Sequence, residues 1–495
     1  LGHSEAVRLL QGGGGVAAAE PEPATRIEAV RWRSIHPMQM VNWRTSGLTC
    51  GLSDADELYC WGIITPSDQD PHPIGIYPER IGGGQRFASF HLNNTACGVR
   101  PSGEAYCWQG LGAVVPEIDM AATGRTGELV FKPSDRTRGP EAHDRVAPGL
   151  ALQTLVGGWA GGTTCALDAS GRAHCWGAAA LGQLGDGRAR RGDSAPQPVA
   201  GGRTFRALGV GVEHACALDH EGIVHCWGAN DLGQLGQGTA AEQCGDPSVA
   251  DGMLAWLQQA AAMEGKEADF TEVVEEQYGT RPCMPRPVPV AGGTLRFTSI
   301  AVGAQHACAV GTDGAAYCWG SDQYGQATGT ASGEAVCESW PGGAEFVAQY
   351  GLGCRTTPTR IPLPGPVRQV AAGELHSCAL GVDGSVHCWG TMPRTAPSRQ
   401  PPMPSCFGMF SEVARPDGEG LFLCRTGPIL VETGAPLESI VAGAAHTCGL
   451  TRTGEAYCWG YNGFGQLGDG SDRDSNRGVR VRPGRVHPPA PHAGR

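Results

Sequence analysis

Between Gln197 and Gly228 the apolar positions come in four short bursts, QPVA, FRALGV, HACALD and IVHCWG, separated by glycine, charged and hydroxyl residues. Bursts this short, regularly punctuated, predict β-strands, and four in succession predict a four-stranded antiparallel sheet as the repeating unit. The last two align as a hairpin: with Cys216 facing Cys226, Leu218 faces Val224 and His220, Glu221 and Gly222 form the tip. A three-residue tip needs a left-handed residue at its third place, which glycine reaches at no steric cost. The same place holds Gly103, Gly171, Gly314, Gly384 and Gly454 in other copies. In the first copy it holds Asp56, and aspartate is among the few other residues that tolerate that backbone.

The unit recurs seven times, each time as two cysteines ten residues apart with tryptophan after the second: Cys50/Cys60, Cys97/Cys107, Cys165/Cys175, Cys216/Cys226, Cys308/Cys318, Cys378/Cys388 and Cys448/Cys458. Directly opposed residues in a non-hydrogen-bonded pair have Cα atoms about 4.5 Å apart, within reach of a disulfide. A metal site is the rival reading, because His214, Cys216, His225 and Cys226 can be drawn as ligands in the fourth copy. The histidines, however, are replaced by Leu48, Thr95 and Thr163, or by Tyr59, Tyr106, Tyr317 and Tyr457, elsewhere, while the cysteines persist in every copy. The disulfide reading is therefore preferred. Six further cysteines fall in pairs inside long stretches after CWG: Cys244/Cys283, Cys337/Cys354 and Cys406/Cys424. Twenty cysteines without remainder read as ten bridges made in an oxidising compartment.

Composition narrows the class. The first cysteines of successive copies are separated by 47, 68, 51, 92, 70 and 70 residues, so a core unit carries insertions of unequal size. With 77 glycines and 36 prolines in 495 residues, the chain matches a turn-rich all-β array. A net charge of −12 opposes nucleic acid or an anionic membrane as main partner, and no apolar run is long enough to span a bilayer. The stretch from Gln11 to Ala24, QGGGGVAAAEPEPA, reads as a flexible tether within residues 1–25. Together with the start at Leu1, it raises the expectation of a removed export or lipid-anchor signal. The expected setting is extracellular or cell-envelope, in a bacterium.

The units HACALDHEGIVHCWGANDLGQLGQG, HACAVGTDGAAYCWGSDQYGQATG and HTCGLTRTGEAYCWGYNGFGQLGDG resemble repeats of the regulator-of-chromosome-condensation family. The likeness runs from about Trp32 to Gly470 and rests on the H-x-C-A-L, D-G, C-W-G and N-x-x-G-Q-L-G elements. It implies a seven-bladed β-propeller, placed at residues 26–484 with a tail at 485–495. The second and sixth copies lack the GQLG loop and the first has CWGII in its place, so altered connections are expected there. Two segments compete to complete the first blade: RGVRVRPG, Arg477 to Gly484, and TRIEAV, Thr25 to Val30. A stack of twisted sheets around an axis buries both faces of each sheet and leaves only short edges.

Specificity in such arrays sits in loops. Four insertions, about 109–148, 229–284, 321–357 and 391–428, are expected to gather on one face, because equivalent connections leave each blade at the same end. The second carries helical patterns at Asp251 to Glu264 and Asp269 to Tyr278. Insertion aromatics Trp256, Tyr278, Trp340, Phe346, Tyr350, Phe407 and Phe410 are candidate partner anchors. An RGD tripeptide (Arg191 to Asp193) and an oxygen-rich loop, GDGSDRDSN at Gly468 to Asn476, are weaker signals, the latter lacking the spacing of a calcium loop. No catalytic constellation or cofactor motif is legible, so a non-enzyme is expected. The favoured function is a secreted or surface-tethered scaffold, a monomeric propeller gripping a protein partner with one face. An extracellular β-lactamase-inhibiting propeller of similar architecture is the precedent. Two alternatives remain: a carbohydrate-binding or hydrolytic propeller with an axial pocket, and a guanine-nucleotide exchange factor or chromatin binder.

Overall fold

The computed structural model describes residues 26–28, 30–37, 46–64, 72–73, 78–92, 95–109, 145–146, 149–158, 162–190, 192–238, 242–245, 258, 281–328, 353–393 and 422–486. Seven sheets follow one another along the chain, each built on four antiparallel strands taken in chain order, with one short strand added to blade 4 and three to blade 1. Blade 4 shows the plan: Phe205–Val210, His214–Asp219, Val224–Ala229 and Arg281–Pro289. The first strand of each blade touches the first strand of the next around the whole circuit, blade 7 (Ser439–Ala442) meeting blade 1 (Trp32–Pro37). These strands surround the axis, and the array is one closed ring.

The hairpin register is as expected, Cys216 facing Cys226 and Leu218 facing Val224. Six of the ten-residue pairs, Cys50–Cys60, Cys165–Cys175, Cys216–Cys226, Cys308–Cys318, Cys378–Cys388 and Cys448–Cys458, are bridged at Cα separations of 4.0–4.1 Å. Cys97 is also disulfide-bonded and faces Cys107 in the register. At the tips Gly222 has φ 81° and Asp56 takes the same backbone at φ 64°. The C-W-G element has its own local cause. Between Cys226 and Gly228 the register to the fourth strand shifts, leaving Trp227 free to turn toward the neighbouring blade. Gly228 absorbs the bulge at φ 101°, where a Cβ would lie 2.4 Å from the Glu213 carbonyl oxygen. A second bulge, at the start of most inner strands, re-aims a side chain. Arg33, Arg206 and Arg368 reach from it to backbone carbonyls of the next blade.

Two expectations need correction, and they share one cause. The fourth strand of a blade follows the C-W-G of the same copy, so PQPV belongs to the outer strand of blade 3 (Gly192–Pro198), which pairs with Ala173–Ala178. The visible sequence unit is thus displaced by one strand from the structural blade. RGVRVRPG accordingly completes blade 7, not blade 1: Ser475–Arg480 pairs with Ala456–Gly460 and Val479 faces Cys458. The edge of blade 1 beside Cys60, in its third strand, is taken by that blade's own outer strand. Glu79–Arg86 pairs there, Glu79 facing Cys60 and Arg80 facing Tyr59. It wins the place because it lies far nearer along the chain to Glu57–Ile64 than residues 477–484 do, so the pairing closes a shorter loop. Gly484–Val486 adds to its edge in parallel, Arg485 facing Glu79, and Arg26–Glu28 adds outside that. Both ends of the described chain therefore meet at blade 1, with the sheet continuing to Val486.

Blade is joined to blade by a repeated seam. The disulfide of one blade packs against the tryptophan of the next: Cys165–Cys175 on Trp227, Cys216–Cys226 on Trp319, Cys308–Cys318 on Trp389, Cys378–Cys388 on Trp459 and Cys448–Cys458 on Trp61. The GQLG loop supplies the polar half. Trp227 Nε1 donates to the Gln183 carbonyl, Trp319 to Gln234, Trp389 to Gln326 and Trp61 to Gln466, at 2.8–3.0 Å. Trp459 follows blade 6, which lacks that loop, and its Nε1 is buried without a partner. At three seams a hydroxyl joins in: His376 meets Thr447 Oγ1 at 2.8 Å, and at the other two the hydroxyl also reaches a loop carbonyl, His306 meeting Ser377 Oγ at 2.8 Å and Ser377 donating to the Gln326 carbonyl. His446, Thr49 and the Gln466 carbonyl repeat the arrangement. Because these two hydroxyl protons go to the carbonyls, His306 and His446 must donate from Nε2.

The seam between blades 4 and 5 lacks this link, since Ala307 stands where Ser377 stands, and both ring nitrogens of buried His214 are unpartnered. Ala307→Ser should restore the relay and stabilise the ring by about 1 kcal/mol, read as a raised Tm. A lowered Tm would show that the site has no room for the hydroxyl. Conversely, replacing Cys216 and Cys226 together by serine should cost roughly 2–3 kcal/mol on the loop-entropy model and lower the Tm without changing far-ultraviolet circular dichroism at room temperature.

Candidate functional site on the insertion-bearing face

The candidate metal ligands of blade 4 do not converge. His214 lies in the seam toward blade 5, whereas His225 Nε2 meets Asp219 Oδ2 at 2.9 Å. Asp219 Oδ1 meanwhile accepts the backbone N–H groups of Glu221 and Ile223 and so caps the hairpin tip. Blade 3 repeats this with His174 and Asp168. The RGD segment opens the outer strand of blade 3, with Asp193 held by Arg190 and by the Ala195 N–H, while Arg191 lies outside the described residues. In GDGSDRDSN, Asp469 and Asp474 accept hydrogen bonds from Ser471 and from the Asn462 N–H. No group of three or more potential metal ligands occurs among the described residues.

All four long insertions leave between a third and a fourth strand: after Gln109, Ala229, Ser321 and Pro393, returning at Arg145, Arg281, Cys354 and Phe422. They emerge at the end of the blade that carries the turn between first and second strands, opposite the crossings from blade to blade. The shared face is as expected, but the connections that build it lie within blades. In blade 4 the base of the insertion is described, and it is braced. Glu242–Cys244 pairs with the start of the fourth strand, Cys244 facing Arg281, and Cys244 is bridged to Cys283. Arg281 reaches Glu213 at 2.7 and 3.1 Å and Asp231 at 2.6 Å. Burial opposes its charge, yet Asp231 and Glu213 hold the guanidinium protonated well beyond the arginine range. Leu181, from the loop of blade 3, packs on Ala229 and this bridge.

The blade 5 insertion has a comparable base. Asp322 Oδ1 accepts the Ala327 N–H, and its Oδ2 accepts the Thr328 hydroxyl at 2.8 Å and faces Arg355 Nε at 3.4 Å. Burial pushes that carboxyl above its ordinary range despite these donors. Cys354, at the return, is disulfide-bonded, while Cys337 and Cys406 lie outside the described residues and Cys424 lies in the outer strand of blade 6. Trp256, Tyr278, Trp340, Phe346, Tyr350, Phe407 and Phe410 also lie outside them, as do the two helical patterns apart from Gln258, which is helical and exposed. The sequence reading missed Arg281, Glu213 and Asp231, because ion pairs between residues 50–68 apart leave no periodic trace. The only local cue was a basic residue two places before the clip cysteine.

Four histidines at equivalent places, His214, His306, His376 and His446, are held neutral. They are lowered to about 4, 3, 4 and 3, burial being the largest cause and repulsion from neighbouring histidines adding to it at His306 and His446. The unfolded chain takes up protons near pH 6.5 and the folded one does not, so stability is full above that pH and falls as pH drops toward about 4. Each histidine contributes a slope of up to about 1.4 kcal/mol per pH unit. Denaturant midpoints measured from neutral pH down toward pH 4 should therefore fall steeply below 6.5, and replacing His306 by glutamine should flatten the curve. A midpoint constant over this range would mean that these rings are charged or solvated.

Comparison with known proteins agrees with this geometry. The model of the Regulator of chromosome condensation (RCC1) repeat matches residues 205–234, 297–326, 367–392 and 438–466, each running from the first strand of a blade toward its third strand or the loop beyond. The ultraviolet-B receptor UVR8 of Arabidopsis thaliana is 26% identical over 336 residues, covering 62% of this chain and 65% of that protein. The guanine nucleotide exchange factor SRM1 of Saccharomyces cerevisiae is 24% identical over 310 residues, 60% of this chain and 54% of that one. A probable E3 ubiquitin-protein ligase, HERC4 of Mus musculus, is 26% identical over 322 residues, 60% of this chain and 26% of that one. The chain thus spans less than two thirds of each of these relatives. Among solved structures, yeast RCC1 (Prp20) bound to Kap60 aligns with TM-score 0.52 at 18% identity, over 96% of this chain and 91% of that one. Human WBSCR16 aligns with TM-score 0.52 at 17% identity, over 84% and 88%. Matching repeats, a closed ring of seven blades and the tryptophan seam lead to one conclusion: the chain carries RCC1-like repeats and folds as a seven-bladed β-propeller.

Proposed function

We propose that this propeller is a protein-interaction scaffold of the extracellular space or cell envelope of a bacterium, docking its partner on the insertion-bearing face. The observation that carries the reading is the base of the blade 4 insertion, where Cys244–Cys283 and the Arg281 ion pairs with Glu213 and Asp231 brace both ends of residues 246–280. A segment braced at its base loses less entropy on binding than a free loop of the same length. Buried hairpin bridges support an oxidising setting, and no helix among the described residues is long and apolar enough to cross a membrane. Solved structures of this fold include yeast RCC1 bound to Kap60, a precedent for a protein of this fold in complex with another protein. A net charge of −12 argues against chromatin as the target.

The test keeps the brace and removes what it holds. Residues 246–280 are replaced by Asn-Gly, leaving Cys244, Arg281 and Cys283 in place. Protein captured from culture medium or cell envelope by the full chain is then purified and titrated against both forms. Binding should fall at least a hundredfold with an unchanged Tm; unchanged affinity would place the working surface elsewhere.

A further inference from the structure

On the insertion-bearing face the turns between first and second strands are stitched together around the axis. Val212 N–H donates to the Ala304 carbonyl, Ala304 N–H to Gly373, and Glu374 N–H to Ala444. Three of the equivalent side chains in this ring are apolar: Val212, Ala304 and Ala444. Glu374 alone brings a carboxyl. The residue is half-buried, yet its Oε2 is closed off from solvent and accepts no hydrogen bond. No arginine or histidine forms an ion pair with it among the described residues. The charged and titratable groups around it are Tyr324, from the loop of blade 5, and the neutral His376 two residues along its own chain. His306 and His446, which lie beyond His376, are neutral as well.

Such a carboxyl is costly. Burial alone raises it to about 8, with no neighbouring cation to oppose the shift, and it raises the Tyr324 phenol in turn after the effect of burial on that group. The folded protein holds a proton that the unfolded chain has already lost near pH 4.5. Glu374 therefore lowers stability progressively as pH rises from about 4.5 to about 8. An acid with an enclosed oxygen that lacks a donor is the complement of a cation that arrives from outside: an ammonium or guanidinium would supply the missing donor, and the carboxyl proton would leave to solvent.

We propose that Glu374, with Tyr324 beside it, forms the recess at the junction of blades 5 and 6 that accepts a lysine or arginine side chain of the docked protein. This rests on the reading that the partner binds the insertion-bearing face. Small side-chain mimics test the recess on the full chain without the partner. Carbon NMR of labelled glutamate carboxyls, with the Glu374 signal identified by its loss in Glu374→Gln, should show it protonated at pH 7. n-Propylguanidinium or n-butylammonium should drive it to the ionised position, with release of about one proton per site, whereas n-propylurea should leave it unmoved. Glu374→Gln should weaken n-propylguanidinium binding roughly tenfold or more. It should also raise the Tm of the free protein more at pH 8 than at pH 5, because the substitution removes the pH-dependent penalty of the enclosed carboxyl. A carboxyl already ionised at pH 7, or one indifferent to saturating n-propylguanidinium, overturns the proposal. If the mimic titrates Glu374 but a captured partner binds the form lacking 246–280 unchanged, the docking reading fails and the cation recess stands. If that partner binds Glu374→Gln as tightly as the parent chain, the recess is not its anchor and the docking reading survives.

Discussion

Everything in this ring depends on one contact repeated between blades: an indole from one blade laid on the disulfide of the blade before it, with its N–H satisfied by that blade's loop. Full burial of an indole is worth about 4–6 kcal/mol of transfer free energy as an upper figure, but only if the N–H finds an acceptor. The Gln183, Gln234, Gln326 and Gln466 carbonyls are those acceptors. The same glutamines fold their own loops, each side-chain oxygen taking the N–H two residues earlier. The closing glycines are shaped by the same contact: a Cβ on Gly185, Gly236 or Gly468 would press within 2.6–2.8 Å of the indole. The repeat motif is therefore less a description of one blade than of the joint between two.

That joint explains where the array departs from regularity. Blade 6 gives up its GQLG loop to an insertion and leaves the Trp459 indole N–H unpartnered. Blade 5 has Ala307 in place of a hydroxyl and leaves His214 without a ring partner. The seams around blades 3 to 5 and 7 to 1 keep the tryptophan hydrogen bond, so local losses are carried by a ring that is closed elsewhere. A repeat array tolerates such losses because its stability is a sum of units and neighbour terms. Insertions can therefore accumulate on one face while the disc beneath them holds.

The position of the insertions also separates structural from working residues. Arg281, Glu213 and Asp231 spend their charges on one another to brace the base of an insertion. Asp322 is used up on Thr328, Ala327 and Arg355. Glu374 alone among these acids carries a buried oxygen with no donor. Beside these satisfied carboxylates, the unsatisfied one marks where the described part of the face is incomplete by itself.

Much of this was legible in the residues. Ten-residue cysteine spacing, the left-handed tip residue and the apolar alternation determine the hairpin, because a short turn leaves a single register that buries both cysteines and both flanking apolar residues. The count of blades follows from the count of hairpins. What the chain order did not determine was the phase. Whether the fourth strand comes before or after a hairpin depends on which side of the long connection pairs with C-W-G, and spacing carries no information across insertions of such unequal length. Placing RGVRVRPG in blade 1 rather than beside Cys458 in blade 7 followed from that ambiguity. The ion pairs at Arg281 and the enclosed acid at Glu374 were likewise invisible, since both arise where turns distant in sequence are brought together by the closing of the ring. Local periodicity sets strands and tips through nearest-neighbour sterics; desolvation and charge pairing act across space, and only the closed ring decides which groups they join.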